Sequence, residues 1–389
     1  MPRKKTNNSE QLIIGVVGAG ASGVLTALLL KRKYPDYSVY LFDHQKKINH
    51  KLLVTGNGKC NFANGSKDAY KEYRHPEAFK QLIDDVPLQD LLSLFNELCI
   101  YSFSKDNLYY PISESSETFA DTLHYHLIGG HLVVITDRID SYEVLDDCIR
   151  LKGINRYYRV NKVIFATGGA SKPKLGSDGF LFDVFKSHHY QIEELRPGLC
   201  PLKVKEKVYK ISGQRRKVLV SLLVNNKVVY KERGEILFKN DGVSGIVIFN
   251  IASIIARNNY INPTLSINFL VDYYPSYNKF MAQKPETFTS LILEGLFSRK
   301  LAEYLYDFVK ADNFHSLFDF RLTVTGSYSF EDSQVTVGGI SLDNLNDDFS
   351  SKLEKNVYFV GEVIDQDGLC GGYNLMWAFL SAMKLVKHF

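Results

Sequence analysis

Residues 13–43 read IIGVVGAGASGVLTALLLKRKYPDYSVYLFD, and this stretch decides the fold. An apolar, β-rich run (Ile13, Ile14, Val16, Val17) stops at Gly18-Ala19-Gly20-Ala21-Ser22-Gly23. A stretch of helical character follows from Val24 to Lys33. A turn at Pro35-Asp36 then leads into a second β-like run, Ser38–Phe42, which ends on Asp43. Together these form a βαβ unit with G-x-G-x-x-G at the first strand-to-helix turn. Gly18 lets the chain reverse tightly, Gly20 has no Cβ to hold off a pyrophosphate, and Gly23 lets the helix pack closely on the strands. The helix start offers free N–H groups and a partial positive charge to phosphates. Asp43 lies 20 residues past Gly23 (43 − 23), where a carboxylate accepts hydrogen bonds from ribose hydroxyls. A signal anchor is the competing reading of residues 12–30, which are largely apolar and follow Arg3-Lys4-Lys5. Glycines at 15, 18, 20 and 23 make a poor spanning helix, and an anchor leaves the following strand and acid unexplained.

At 389 residues the chain has room for two or three units of about 150 residues each. Its 45% apolar and 23% charged content is that of a soluble globular protein with a sizeable core. The net charge of +4 is slight for this length, and part of it sits in Arg3-Lys4-Lys5, read as a solvated tail, so no nucleic acid is expected as a partner. The five cysteines (60, 99, 148, 200 and 370) form no C-x-x-C pair. That disfavours disulfides, a metal site or a dithiol centre and fits a reducing compartment. No other long apolar stretch suggests membrane insertion, and the cytoplasm is the default.

Beyond Asp43, His44–Asn64 is glycine-dotted and basic, and Lys51, Lys59 and the amides of Thr55–Cys60 can face a polyanion or a polar ring. Residues 77–100 read as helical, Asn107–Pro111 as a hairpin or strand, and Ser113–Leu127 as a helix. Gly130–Thr136 reads as a strand, and 139–151 with 156–165 as a paired ribbon whose second half rises into a buried strand. That strand ends in Ala166-Thr167-Gly168-Gly169, where a glycine pair allows backbone to approach a ligand. From about Leu195 the texture changes to alternating strands with Gly and Asn turns, then a turn and buried helix over 242–257, a strand at 265–273 and helix over 287–309. Residues 195–326 therefore read as an inserted β-rich domain with a helical part, flanked by 1–194 and 327–389. The tail returns to glycine-broken strands: Val335–Ile340, then Asn356–Gly361 leading to Glu362. The loop Asp365–Asn374 follows, with Gly371-Gly372 before a helix at Leu375–Val386. Such a helix start, placed beneath a flavin's pyrimidine edge, stabilises charge gathering there on reduction. No second strand–G-x-G-x-x-G–helix unit occurs, so one dinucleotide has a dedicated fold and any nicotinamide visits the flavin face directly.

The blocks GAGASG (18–23), HKLLVTGNGKCNFAN (50–64), FATGGASKPKLGSDG (165–179), GEILFKNDGVSG (234–245), VTVGGISLDNL (335–345) and VYFVGEVIDQDGLCGGYNLMWAF (357–379) span nearly the whole chain. In this order they resemble the BaiN/RdsA-type family of bacterial NAD(P)/FAD-dependent oxidoreductases, which includes aminoacetone-oxidase-like enzymes. The resemblance implies an α/β fold: a glutathione-reductase-type, Rossmann-like FAD domain built from both ends of the chain, with the β-rich insert between. It implies non-covalent FAD and, more loosely, NAD(P)H as a transient donor. By motif, Gly18, Gly20, Ala21, Ser22, Gly23, Asp43 and His44 would hold the ADP half. Lys51 and the loop Thr55, Gly56, Asn57, Gly58, Lys59, Cys60 and Asn61 would line pyrophosphate and flavin. Ala166, Thr167 and Gly168 would pass near the ADP half, Gly361 and Glu362 near the ribityl–pyrophosphate stretch, and Gly371, Gly372, Tyr373 and Asn374 near the isoalloxazine. Asp43 stands where the family more often has Glu, Asn57 where it has Gly, and Lys59 where it has Arg, which removes a planar bidentate fork.

The expected activity is a flavin oxidoreductase acting on a small-molecule substrate at N5, with Lys59, Cys60 and Tyr373 as the side chains to test beside the ring. The rivals are an oxidase of an amine or alcohol that uses oxygen, and a flavin-containing RNA-associated protein. The latter draws on Lys203, Lys205, Lys207, Lys210, Arg215, Arg216 and Lys217, which also read as an exposed strand face whose lysines protect an edge from mispairing. Substrate and oligomeric state carry no motif.

Overall fold

The computed structural model describes residues 12–46, 48–129, 132–154, 156–287 and 289–389. The basic tail Arg3-Lys4-Lys5 and the expected strand start at Gly130 lie outside the described residues.

The opening βαβ unit consists of β1 (Ile13–Val17), α1 (Ala21–Lys33) and β2 (Ser38–Asp43). Three further parallel strands complete a sheet: β3 (Val133–Thr136), β4 (Lys162–Phe165) and β5 (Val357–Phe359), in the order β5-β4-β1-β2-β3. β1 is central, pairing Ile14–Val17 with Lys162–Phe165 on one side and Ile13–Val17 with Ser38–Phe42 on the other. A strand covered on both faces has no solvent side to alternate toward, which is why β1 reads as an unbroken apolar run. The last helix, α2 (Tyr373–His388), belongs to the same unit, where Lys33 Nζ donates to Val386 O at 2.8 Å. Residues from both ends of the chain thus build one core, in which Phe185 packs edge to face with Phe165 and Phe359, and Tyr190 with Phe359.

Several element limits differ from the sequence reading for identifiable reasons. α1 begins at Ala21 instead of Val24 because Ala21-Ser22-Gly23 already form its first turn. The expected ribbon is a three-stranded antiparallel sheet (Ile139–Val144, Ile149–Gly153, Tyr157–Val160), after which the chain turns into β4. Val335–Ile340 runs unbroken through its glycine pair. A Cβ at Gly338 would stand 2.4 Å from Glu194 O, and one at Gly339 2.7 Å from Val363 O, so these glycines serve close backbone approach.

The chain divides into two compact units, one up to Leu195 together with Gly338–Phe389, the other Arg196–Val337. The return comes at Gly338 where 327 was expected: the barrel strand Phe320–Ser327 and the residues after it up to Val337 group with the insert. That insert closes six strands into an antiparallel barrel, in the order Leu202–Val204, Gly242–Ser244, Lys227–Phe238, Arg215–Val224, Thr264–Asn268 and Phe320–Ser327. Its long hairpin turns at Asn225-Asn226, both with positive φ (51° and 60°), the conformation that two-residue hairpin loops require and Asn tolerates. Val218, Val220, Leu222, Ile236, Leu265, Ile267 and Leu322 fill its separate core, with the helix Ile246–Asn258 packed on it. The helical part is Tyr277–Gln283, Thr289–Leu296 and Arg299–Asp312. Among the described residues no helix is long and apolar enough to cross a membrane.

Candidate functional site

The three glycines of the first turn have three different surroundings. Gly18 has φ 104°, and a Cβ there would sit 2.4 Å from Ala166 O and 3.1 Å from Thr167 Cα. At Gly23 a Cβ would lie 1.9 Å from Gly18 O. At Gly20 it would meet nothing within 4 Å. Packing of the protein itself thus demands two of the glycines, while the third opens onto a free cradle at the start of α1. That helix has no side-chain cap and no acid in its first turn, Ala21-Ser22-Gly23, so unpaired N–H groups and a positive end face the cradle. The residues fit a pyrophosphate.

Asp43 closes the turn from the β2 side. Its Oδ2 accepts from Ala19 N–H and its Oδ1 from Gln45 N–H, both at 2.7 Å, leaving lone pairs on each oxygen for ribose hydroxyls. His44 lies beside it, with Nδ1 3.7 Å from Asp43 Oδ1, and a Cβ at Gly176 would be 3.3 Å from both His44 and Gln45. Gly168, at φ 70°, faces Ser177 Oγ at 3.2 Å and Glu362 Oε2 at 3.8 Å from its would-be Cβ. From the far end of the chain, Gly361 (φ 78°) would place a Cβ 2.4 Å from Ser22 Oγ. Its N–H donates to Ser381 Oγ at 3.0 Å, and its carbonyl accepts from Trp377 Nε1 at 2.9 Å. Glu362 Oε2 meets Lys51 Nζ at 2.8 Å, and both side chains are about a quarter exposed (22% and 26%). Segments 18–23, 43–44, 51, 166–168 and 361–362 therefore converge.

A second convergence joins the loop after Lys51 to the start of α2. Leu52–Gly58 is a 3-10 stretch broken at Thr55, Gly56 and Asn57. Asn57 holds φ 53°, a left-handed position in which Asn can replace the family's glycine. Thr55 Oγ1 donates to Leu52 O at 2.6 Å, and Gly56 would drive a Cβ to 2.9 Å from Asn61 N, so both shape the turn. Gly58 has open space around it. The Asn61 amide, oriented to donate to Ala63 O and Tyr109 O, accepts from Gly372 N–H at 3.2 Å. Gly372 (φ 84°) would put a Cβ 2.6 Å from Ala63 O, and Gly371 O accepts from Asn64 Nδ2 at 3.0 Å. The first turn of α2 holds no acid and has no side-chain cap, so its positive end is free for an anionic ring edge.

The remaining expected residues divide by accessibility. Lys59 Nζ pairs with Glu114 Oε1 at 3.0 Å with both side chains about half exposed, on the rim of the loop. Cys60 is fully buried, and burial pushes its thiol up to about 12 against the weaker lowering effect of Thr55, so it is neither thiolate nor accessible acid near neutral pH. Tyr373 is buried too, and burial with the nearby Glu72 raises its hydroxyl to about 12. The Asn374 side chain is spent on the backbone: Oδ1 accepts from Gly368 N–H at 2.9 Å and Nδ2 donates to Gly368 O at 2.8 Å. Sequence reasoning passed over Asn64, Ser381, Trp377 and Tyr73, whose hydroxyl donates to Tyr373 O at 2.7 Å. Asn64 and Trp377 could have been found, as they fall in the GNGKCNFAN and GGYNLMWAF stretches of the quoted blocks; Ser381 and Tyr73 carry no local signal. Among the described residues no group of side chains could hold a metal ion.

Residues 12–387 match the family described as HI0933-like protein Rossmann domain. Among curated relatives, a 3-dehydro-bile acid delta(4,6)-reductase of Clostridium scindens is 27% identical over 394 residues, covering 94% of this chain and 96% of that protein. A ribosomal RNA dihydrouridine synthase of Haemophilus influenzae is 28% identical over 400 residues, with the same two coverages of 94% and 96%. Among solved structures, a 3-ketosteroid delta1-dehydrogenase from Sterolibacterium denitrificans superposes with a TM-score of 0.55 at 12% identity, covering 96% of this chain and 98% of that one. A flavocytochrome c3 fumarate reductase superposes with a TM-score of 0.51 at 16% identity, covering 98% and 79%. These two share the fold. The chain belongs to the HI0933-like Rossmann family, the BaiN/RdsA-type FAD-dependent oxidoreductases.

Proposed function

We propose that the chain catalyses the NAD(P)H-linked reduction of a small organic substrate, a carbon–carbon double bond conjugated with a carbonyl, at the N5 face of bound FAD. Bound FAD supplies two-electron hydride chemistry there, and NAD(P)H visits the same face as transient donor because the sequence holds a single glycine turn of the dinucleotide type. The observation that carries the reading is the juxtaposition of Asn61, Asn64 and Gly371-Gly372 at the positive start of α2. In this reading the amides of Gly20–Gly23 bind the pyrophosphate, Asp43 holds a ribose, Lys51 and Glu362 order the stretch between, and α2 steadies negative charge on the ring edge. The relative named as a delta(4,6)-reductase supports the alkene as reacting group. The test is anaerobic addition of NADPH or NADH to FAD-loaded protein. Bleaching, followed by recovery of colour on adding an enone, is expected. Rapid recovery in air with no sustained nicotinamide consumption favours the oxidase and overturns the reductase.

A second reading, reduction of uridine within RNA, is supported by the relatives named ribosomal RNA dihydrouridine synthase and by one surface of the insert. Lys203, Lys205, Lys207, Lys210 and Lys217 are exposed, and none has an ion-pair partner among the described residues. Salt-dependent retention on RNA supports this reading, and no retention at low salt removes it.

A further inference from the structure

The loop Asp365–Gly372 links Glu362 to the glycine pair before α2, and it is held from one side by the segment Glu72–His75. Arg74 N–H donates to Asp367 O at 2.9 Å and Leu369 N–H to Glu72 O at 3.2 Å. His75 N–H donates to Gln366 Oε1, and Gln366 Nε2 donates back to His75 O, both at 2.9 Å. The charged contacts centre on Asp365, whose side chain is only 2% exposed. Arg74 Nη1 stands 2.9 Å from Asp365 Oδ1, in ion contact although not aligned for a hydrogen bond, and His75 Nε2 lies 3.0 Å from Oδ2. Arg74 also faces Glu193 Oε2 at 3.9 Å. The backbone of Asp365 is pinned as well, through its N–H to Ile340 O at 2.9 Å.

A carboxylate sealed from water is tolerated only with its cation in place, since taking away one partner leaves an uncompensated buried charge. Asp365 must therefore either keep Arg74 and His75 against it or swing toward solvent. Swinging out would carry the residues that follow, up to Gly371 and Gly372, because the loop has no regular structure of its own to absorb the motion.

We propose that Arg74 and His75 are positioning residues for the redox site: with Arg74 neutralising buried Asp365 and His75 in contact with its other oxygen, they hold the loop so that Gly371-Gly372 and the start of α2 lie against the flavin ring. This rests on the assignment of the glycine pair to the ring. Arg74 touches no reacting atom; it acts through Asp365. A displaced loop moves the amides that favour electron density on the ring edge, so the flavin potential and spectrum report on Arg74.

The experiment compares FAD-loaded full-length wild type with Arg74→Gln, Asp365→Asn and the double variant, measuring midpoint potential, visible absorption and FAD dissociation constant. Arg74→Gln should bind FAD about tenfold more weakly, equivalent to about 1.4 kcal/mol, and shift both potential and bands. The double variant should recover most of all three, because no buried charge is left unpaired. If Arg74→Gln does not fold, Arg74→Lys keeps the charge without the planar fork and should show a smaller shift of the same sign. Wild-type potential, spectrum and affinity in whichever Arg74 variant folds overturn the proposal, even if its melting temperature falls. Gly372→Ala separates the two levels: if it too leaves FAD untouched, the ring assignment fails; if it alone weakens FAD, only the brace fails.

Discussion

Gly20→Ala and Gly23→Ala each add one methyl group to the same turn, and the surroundings make their consequences diverge. At position 23 the new Cβ would stand 1.9 Å from Gly18 O, where real Cβ atoms essentially never come closer than 3.0 Å, so α1 and the turn must part by at least 1.1 Å (3.0 − 1.9). Overpacking of this kind costs about 1–3 kcal/mol, with the upper end apt for a collision with backbone. The better helix propensity of Ala returns about 1 kcal/mol, leaving a net loss of about 2 kcal/mol in the cofactor-free protein. At position 20 the methyl meets nothing within 4 Å, and φ −82°, ψ −171° is ordinary extended backbone for Ala. Cofactor-free stability should therefore stay within about 0.5 kcal/mol of wild type. The methyl does occupy the cradle, however, and pushes a pyrophosphate off the amides of α1. Hydrogen bonds to a charged group contribute about 1.5–3 kcal/mol each, so losing one weakens FAD binding roughly 10- to 100-fold. Urea unfolding of the cofactor-free chain and titration by flavin fluorescence read the two quantities separately. A Gly20→Ala protein that folds normally and binds FAD as wild type does would refute the assignment of the cradle to phosphate. A Gly23→Ala protein as stable as Gly20→Ala would refute the packing argument.

Thiol reactivity offers a second check: alkylation of the native chain at about pH 8 should label Cys99, which is exposed, well before Cys60, Cys148 or Cys200, which are buried. Mass spectrometry showing early modification of Cys60 would restore it as a candidate beside the ring. Alkaline pH should expose the cluster around Glu354, where Tyr142 OH donates to Oε2 at 2.6 Å, Tyr190 OH donates to the same oxygen at 3.0 Å, and His188 Nδ1 lies 2.8 Å from Oε1. Burial first, then the neighbouring tyrosine and carboxylate, raises Tyr142 above its ordinary 10.0, and burial raises Tyr190 likewise. The folded state then holds protons that the unfolded chain gives up, so stability present below about pH 10 is lost as pH rises beyond it. Denaturant unfolding of Tyr142→Phe should show a shallower alkaline decline than wild type; an equal slope removes Tyr142 from the account.

The parts of the site that were legible in advance are those whose chemistry is local. Gly18, Gly20 and Gly23 could be given separate tasks because a turn of six residues fixes which amides are free and which Cβ atoms collide. Asp43 could be placed because a strand of known rise sets where its end falls. Cys60 and Asn374 show the opposite case. Both sit inside motif blocks, yet one is sealed in the core and the other is consumed by Gly368, since burial and hydrogen-bond partners depend on what packs against a residue from elsewhere in the chain.

From the residue order alone came the βαβ unit, the β-rich insert and the glycine-rich character of the tail, all of which arise from short-range periodicity and backbone freedom. Tertiary structure decided the rest: that β5 pairs with β4 across nearly two hundred residues, that Lys51 meets Glu362, that Glu72–His75 clasp the loop before α2, and that the insert's strands close into a barrel. Contacts of that span are selected by burial of the whole core and by pairing of charges that cannot reach water, and no window of sequence contains both partners.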